Sequence, residues 1–282
     1  MQITGFNDIF QNWLSEYFEK SAPKKNFVDL LFKSMGYSLR SGGKRFRPYL
    51  AAEVFQIWKS EIISVKSFCL AIEMIHTYSL IHDDLPCMDN DSFRRGQPTN
   101  HKVFSEDTAL LAGDALLTEA IHLISSETDL MADTRIKLIG IVTQRIGAFG
   151  MVGGQVLDMR STPEIKFEQL EQIHAMKTAS LIEAAALGGA IIAGAPEKDI
   201  ESISQFSHHL GMAFQIKDDL LDANETQQDF KSYVAVIGLI PAQAQLDLHS
   251  QKALNHLQAI KSDSSAVLRL AELVKENQRR TS

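Results

Sequence analysis

The sequence predicts an all-α protein, on three observations. Apolar residues recur at helical period in almost every long segment. Prolines fall between those segments or in their first turns, where a helix tolerates them. No alternating strand runs joined by hairpin signals are found. Segment 6–20, FNDIFQNWLSEYFEK, puts Phe6, Ile9, Phe10, Trp13, Leu14 and Tyr17 on one stripe. Segment 62–84 reads as a long apolar helix running into acidic residues. Segments 107–125, 132–160, 167–193 and 198–222 are rich in Ala, Leu, Ile and Met, which favour helix. Two more helices fit 230–260 and 264–280. Breaks are expected at Pro23, Pro48, Pro86, Pro98, Pro163, Pro196 and Pro241. With no linker and no short repeat, one domain over 1–282 is expected: a large bundle of roughly ten helices.

Composition narrows the function classes. The chain has 282 residues, 45% hydrophobic and 22% charged, which is a globular balance. A formal charge of −7 argues against non-specific nucleic-acid binding. Cys69 and Cys87 are too far apart for a CxxC unit and fit a reduced interior. The start, MQITGFNDIF, lacks the basic-then-apolar pattern of a signal peptide. The most apolar run, 181–195, holds Glu183 and stops at Pro196, shorter than the ~20 residues a bilayer needs. The expectation is a cytoplasmic protein that is not integral to a membrane.

Three charged clusters stand out. The first is DDLPCMD, with Asp83, Asp84 and Asp89. Carboxylates this close repel one another unless a cation or solvent screens them. Acid at a helix C-terminus also opposes the macrodipole. An all-oxygen donor set suits a hard ion such as Mg²⁺; the alternative is a frayed helix end in solvent. The second cluster is FQIKDDLLD, where Asp218 and Asp222 share a helical face. Alone it reads as a solvated acidic face. Paired with the first, it suggests two acidic sets facing each other across a bundle cavity and holding several Mg²⁺ ions. The third is basic: Lys44, Arg45 and Arg47 in SGGKRFRP, with Arg94 and Arg95. Guanidinium forks match phosphate oxygens, and Gly42–Gly43 permits close backbone approach. The stretch does not match the GxxxxGK[ST] phosphate loop. Acid for Mg²⁺ beside base for anions is the layout of a diphosphate site, and the apolar helix next to it suggests a greasy remainder of the ligand.

Six stretches, in order, carry a resemblance: GGKRFRP (42–48), HTYSLIHDDLPCMDNDSFRRG (76–96), LAGDAL (111–116), GGQVLD (153–158), KTASL (177–181) and FQIKDDLLD (214–222). With these the chain resembles the short-chain trans-polyprenyl diphosphate synthases, which make farnesyl and geranylgeranyl diphosphate. The resemblance implies a homodimer of the helical isoprenoid-synthase fold and a Mg²⁺-dependent prenyltransferase. It implies that Asp83, Asp84, Asp89, Asp218 and Asp222 hold a trinuclear Mg²⁺ cluster. It gives Arg94, Lys177, Thr178 and Gln215 to the allylic diphosphate, and Lys44, Arg47, His76 and Arg95 to isopentenyl diphosphate. Asp83, Asp84, Asp89, Arg94, Arg95, Lys177 and Asp218 are the residues expected to act in catalysis. The implied reaction joins isopentenyl diphosphate to dimethylallyl or geranyl diphosphate head to tail, through an allylic cation in a dry tunnel, with the released diphosphate as base.

Product length is expected to follow the depth of the tunnel below the first acidic cluster. Ser79 lies one helical turn before Asp83, about 6 Å away, and Tyr78 is its neighbour. In enzymes that this chain resembles, an aromatic at the Tyr78 position with the longer DDxxxxD motif floors a fifteen-carbon product. Tyr78 therefore favours farnesyl diphosphate; the alternative for Tyr78 is ordinary core packing. The chain departs from the pattern after Asp222, where only ANETQQDF precedes Lys231. This loop looks truncated, and either Lys231 or Phe230 takes the place of the usual phosphate-contacting lysine. The shortening motivates the reading of a weakened homologue that only binds prenyl diphosphates. A geranylgeranyl or geranyl diphosphate synthase is the alternative within the enzyme class.

Overall fold

The computed structural model of the chain describes residues 3–21, 28–223 and 230–281. Fourteen α-helices run through them: α1 (Ile3–Ser21), α2 (Asp29–Arg40), α3 (Phe46–Phe55), α4 (Lys66–Asp83), α5 (Asn100–Phe104), α6 (Glu106–Ser126), α7 (Ala132–Ile146), α8 (Met151–Met159), α9 (Phe167–His174), α10 (Ser180–Ala193), α11 (Glu197–Asp222), α12 (Tyr233–Ile237), α13 (Leu239–Gln258) and α14 (Ser265–Arg279). The all-α class is borne out among the described residues. One short exception was not anticipated: β1 (Phe93–Arg94) pairs antiparallel with β2 (Gln97–Pro98). Two residues a side are too few to alternate. The turn between them is made by Arg95 (φ 54°) and Gly96 (φ 76°), both left-handed.

The chain divides into two compact units, residues Met1–Tyr49 with Ile63–Arg135, and Leu50–Ile62 with Ile136–Ser282. In the first unit, the α1 stripe is inward as expected. Phe6, Phe10, Trp13, Leu14 and Tyr17 are buried, while Ile9 sits half-buried at the edge. Helix α4 is buried from Phe68 to Ile75 without interruption. It packs along α6, and α2 packs on both. Helix α2 escaped prediction because its buried face is Ser34, Met35, Gly36 and Leu39, half of it not apolar. Ser34 instead donates to Asn100 on α5 at 2.7 Å.

In the second unit, α11 lies between α10 and α13. Its Met212, Ala213 and Ile216 share a core with Leu170, Tyr233, Ala242 and Leu246. The predicted 132–160 helix is two helices, separated at residues 147–150, where Gly147 and Gly150 fall. The predicted 230–260 helix breaks at Gly238 (φ 85°). Segment 167–193 does run unbroken, but a π-helical turn at Ala175–Ala179 joins α9 to α10. One expectation needs correction. The apolar run at 181–195 is not bounded by its own length, because most of it lies in the continuous helical stretch Phe167–Ala193, which, like Glu106–Ser126 and the α7–α8 stretch Ala132–Met159, is long and apolar enough to cross a membrane by length and composition. The predicted break at Pro23 lies outside the described residues. Cys69 and Cys87 are free thiols.

Candidate active site

In the first unit the acidic cluster is built at the end of α4. The chain past Asp84 turns straight back: Met88 N donates to Leu85 O and Asp89 N to Asp83 O, both at 2.8 Å. That closure brings Asp89 beside Asp83 at the mouth of the helix. Asp84 is the buried member of the cluster. It is 3% exposed and accepts from Arg94 Nε at 2.6 Å, while Arg94 Nη2 reaches Asp91 at 3.0 Å. Burial raises the Asp84 carboxyl above its usual range, against the opposing pull of Arg94. Arg94 sits on β1, so the short hairpin is what carries the paired arginines back to the helix end.

Arg95 takes the left-handed turn position and donates through Nη1 to Gly42 O. A Cβ on Gly43 (φ 111°) would lie 2.7 Å from the Arg95 guanidinium carbon. Gly43 thus clears room for Arg95 itself. Arg47 Nη1 lies 3.4 Å from His76 Nε2. Burial, then Arg47 and the other nearby arginines, hold His76 well below the ordinary histidine range. It is therefore a neutral hydrogen-bonding group at pH 7. Lys44 is exposed. Arg45 does not join this basic set, contrary to the sequence reading. It is buried on Glu73 at 2.6 Å and Leu39 O at 2.7 Å, with its guanidinium over the Phe10 ring.

In the second unit a carboxylate that the sequence reading quoted but gave no role organises the basic side chains. Asp158, on α8, accepts from Lys177 Nζ at 2.6 Å on one oxygen and pairs with Lys231 Nζ at 3.0 Å on the other. Burial pushes this carboxyl up, but the two ammonium groups outweigh it and the net shift is downward. Local structure explains the meeting. The π-turn carries Lys177 and Thr178, and α8 approaches it so closely that a Cβ on Gly154 would lie 2.4 Å from Lys177 N. Such turns mark functional sites often. Of the two residues considered for the loop position, it is Lys231 that joins Lys177; its ammonium also lies 5.9 Å from the Phe230 ring centre. The loop residues 224–229 lie outside the described residues.

Thr178 donates to Gln215 Oε1 at 2.9 Å, Gln215 Nε2 donates to Asp219 at 3.1 Å, and Asp219 accepts from Tyr233 N at 2.8 Å. Asp219 is buried and fixes the start of α12, whereas Asp222 is exposed at the end of α11. Asp218 is engaged by Arg280, whose guanidinium also lies 4.6 Å from the Phe214 ring centre. Neither Asp219 nor Arg280 was singled out from the sequence. Asp219 is indistinguishable there from its neighbour Asp218, and Arg280 carries no motif.

The donor chemistry fits a hard divalent ion. Asp83 and Asp89 gather on one turn, Asp218 and Asp222 lie one turn apart on α11, and every candidate donor is oxygen. Among the described residues no three such groups are already drawn together around one point. Ion binding at Asp84 or Asp218 competes with an arginine at each.

A family model described as polyprenyl synthetase matches residues 28–235. The farnesyl diphosphate synthase of Bacillus subtilis (strain 168) is 44% identical over 280 residues, covering 94% of this chain and 93% of the relative. The geranylgeranyl diphosphate synthase of Cyanophora paradoxa is 45% identical over 212 residues, 74% of this chain and 70% of the relative. The crystal structure of an FPP/GFPP synthase from Zymomonas mobilis superposes with a TM-score of 0.90 at 30% identity, covering 98% of both chains. The helical isoprenoid-synthase fold implied by the motifs is borne out by that match.

Proposed function

We propose a chain-elongating prenyl transfer from one premise: the chain belongs to the polyprenyl synthetase family. The reaction is the head-to-tail condensation of isopentenyl diphosphate with dimethylallyl or geranyl diphosphate, giving farnesyl diphosphate and free diphosphate. The allylic C–O bond breaks and the diphosphate departs with both electrons. The double bond of isopentenyl diphosphate attacks the allylic cation, a 1′–4 carbon–carbon bond forms, and the released diphosphate takes the proton that is lost.

In this reading Lys177, Lys231 and Arg94 hold the allylic diphosphate, and Thr178 and Gln215 complete its hydrogen bonds. Lys44, Arg47 and Arg95 hold the isopentenyl diphosphate, with neutral His76 donating or accepting beside Arg47. Asp83, Asp84 and Asp89, and separately Asp218 and Asp222, are the carboxylates we assign to Mg²⁺, three ions in all by family likeness. Mg²⁺ bound there supplies positive charge to the leaving diphosphate. For Asp84 and Asp218 this requires the arginine now on each to move to another anion, and the substrate diphosphate is that anion. The observation that supports the reading most is the convergence of Lys177 and Lys231 on the single Asp158 carboxylate. Two ammonium groups held around one anion are ready for a diphosphate oxygen.

Tyr78 is assigned as the floor that stops elongation at farnesyl. It is buried one turn before the acidic cluster, on the helix that ends there. We further propose a cytoplasmic homodimer, and exposed Leu110 and Leu111 on α6 suit a partner surface. Incubating the purified protein with Mg²⁺, isopentenyl diphosphate and geranyl diphosphate, then identifying the prenyl products, tests the assignment. A farnesyl product is expected. A geranylgeranyl product would favour the alternative of a longer-chain synthase, and no turnover with any allylic primer would favour a binding-only homologue.

A further inference from the structure

Tyr78 and His82 lie one turn apart on α4, and their rings meet edge-on at 5.7 Å between centres and 74° between planes. The two are held very differently. The Tyr78 ring is buried, and its hydroxyl has no hydrogen-bond partner among the described residues. Nothing polar fixes the phenol, so neighbouring groups alone set where it stands. His82 is pinned. Its Nε2 lies 3.0 Å from Leu110 O on α6, a carbonyl that only accepts, so that nitrogen carries the proton and donates. The imidazole also fills the space over Gly113, where a Cβ would sit 2.1 Å from Nε2 and 2.4 Å from Cδ2. Asp114 Oδ1 lies 3.9 Å from the same nitrogen. The LAGDAL stretch of α6 thus forms a slot for this ring: one backbone carbonyl, and one position with no side chain. Helical side chains lean toward the helix N-terminus, which places His82 over the turn that carries Tyr78.

We propose that His82 is a positioning residue for product length. Clamped by Leu110 O and Gly113, it braces the Tyr78 ring in the tunnel and so stops elongation, an inference that rests on Tyr78 being the floor. The remainder of the reaction is unchanged. What His82 alters is the partition of a farnesyl product between release and one further condensation.

The test measures the ratio of twenty-carbon to fifteen-carbon product made by the purified full chain with Mg²⁺, isopentenyl diphosphate and geranyl diphosphate. It compares wild type, Tyr78→Ala, His82→Ala and the double variant. A ratio of products is not moved by a loss of folded enzyme, which a purely structural role would cause. His82→Ala is expected to raise the ratio about tenfold, the change that a ~1.4 kcal/mol shift between competing barriers gives. The double variant is expected to match Tyr78→Ala alone, since no ring remains to brace. Gly113→Ala, which drives the imidazole from its slot, is expected to act in the same direction as His82→Ala. Where His82→Ala does not accumulate as folded protein, His82→Leu removes the donor at similar volume and carries the same comparison. A lengthened product from Tyr78→Ala with a wild-type ratio from His82→Ala overturns the bracing and leaves the floor intact. So does a double variant whose shift is the product of the two single shifts. A wild-type ratio from Tyr78→Ala overturns the floor and the bracing with it.

Discussion

Lys231 and Asp158 form an ion pair at 3.0 Å, on the carboxylate that Lys177 holds through its other oxygen. A lysine beyond the end of α11 has therefore reached the same anion as a lysine from the π-turn. If both then serve the allylic diphosphate, Lys231→Ala removes one charge-assisted hydrogen bond, worth ~1.5–3 kcal/mol, or roughly ten- to a hundredfold in affinity. The expected outcome is a KM for the allylic substrate, and an inhibition constant for inorganic diphosphate, raised by that factor. An unchanged KM would remove Lys231 from the site.

Arg45 and Glu73 contact each other at 2.6 Å with almost no exposure on either side. Removing one partner leaves a buried charge uncompensated, at a cost of ~3–5 kcal/mol. Glu73→Gln is expected to lower the midpoint of thermal unfolding by about 10 °C. Lys44→Ala, an exposed neighbour of Arg45, should leave it within ~2 °C. Equal midpoints for the two would contradict the separation of buried Arg45 from exposed Lys44.

The Tyr78 hydroxyl is buried without a partner, and burial pushes it up to about 12. An unsatisfied buried hydroxyl is costly, so Tyr78→Phe is expected to be neutral or up to ~1 kcal/mol more stable in denaturant titration. Its farnesyl product should be retained if, as proposed, the ring and not the hydroxyl forms the floor. A longer product from Tyr78→Phe would shift the role to the hydroxyl.

His209 and His249 place their Nδ1 atoms 3.1 Å apart, with His208, His256, Lys252 and Glu171 around them. Burial, and then the neighbouring histidines and Lys252, depress His209 to about 3 and His249 to about 4. The unfolded chain binds protons below ~6.5 that the fold does not, so stability is complete above that pH and falls as pH drops toward 4. The loss is at most ~1.4 kcal/mol per pH unit for each ring, and less for half-exposed His209. Unfolding midpoints measured from pH 7.5 to 4.5 should fall more steeply for wild type than for His209→Asn/His249→Asn. Parallel slopes would contradict the neutral pair.

Much of the fold is legible in the sequence because helical period reports burial directly. The α1 stripe is the clear case. Helix α2 was hidden because Ser34 and Gly36 take core positions, where hydrogen bonding and a close contact with Phe18 replace apolar bulk. The acidic sets and the basic residues were legible as motifs. Their partners were not: Arg45 and Arg47 look alike in GGKRFRP, and only the fold turns one to Glu73 and the other to His76. Asp158 stood in a quoted motif, but its use depends on the π-turn, which no local pattern announces.

The proposed reaction depends on both carboxylate sets recruiting Mg²⁺ to a diphosphate. The most direct measurement is calorimetric titration of inorganic diphosphate into the purified protein with Mg²⁺ and with EDTA, repeated for Asp83→Asn and Asp218→Asn. Binding that needs Mg²⁺ and weakens at least tenfold in each variant, ~1.4 kcal/mol, is the predicted result. Diphosphate binding of equal strength without Mg²⁺, or unaffected by either substitution, would contradict it.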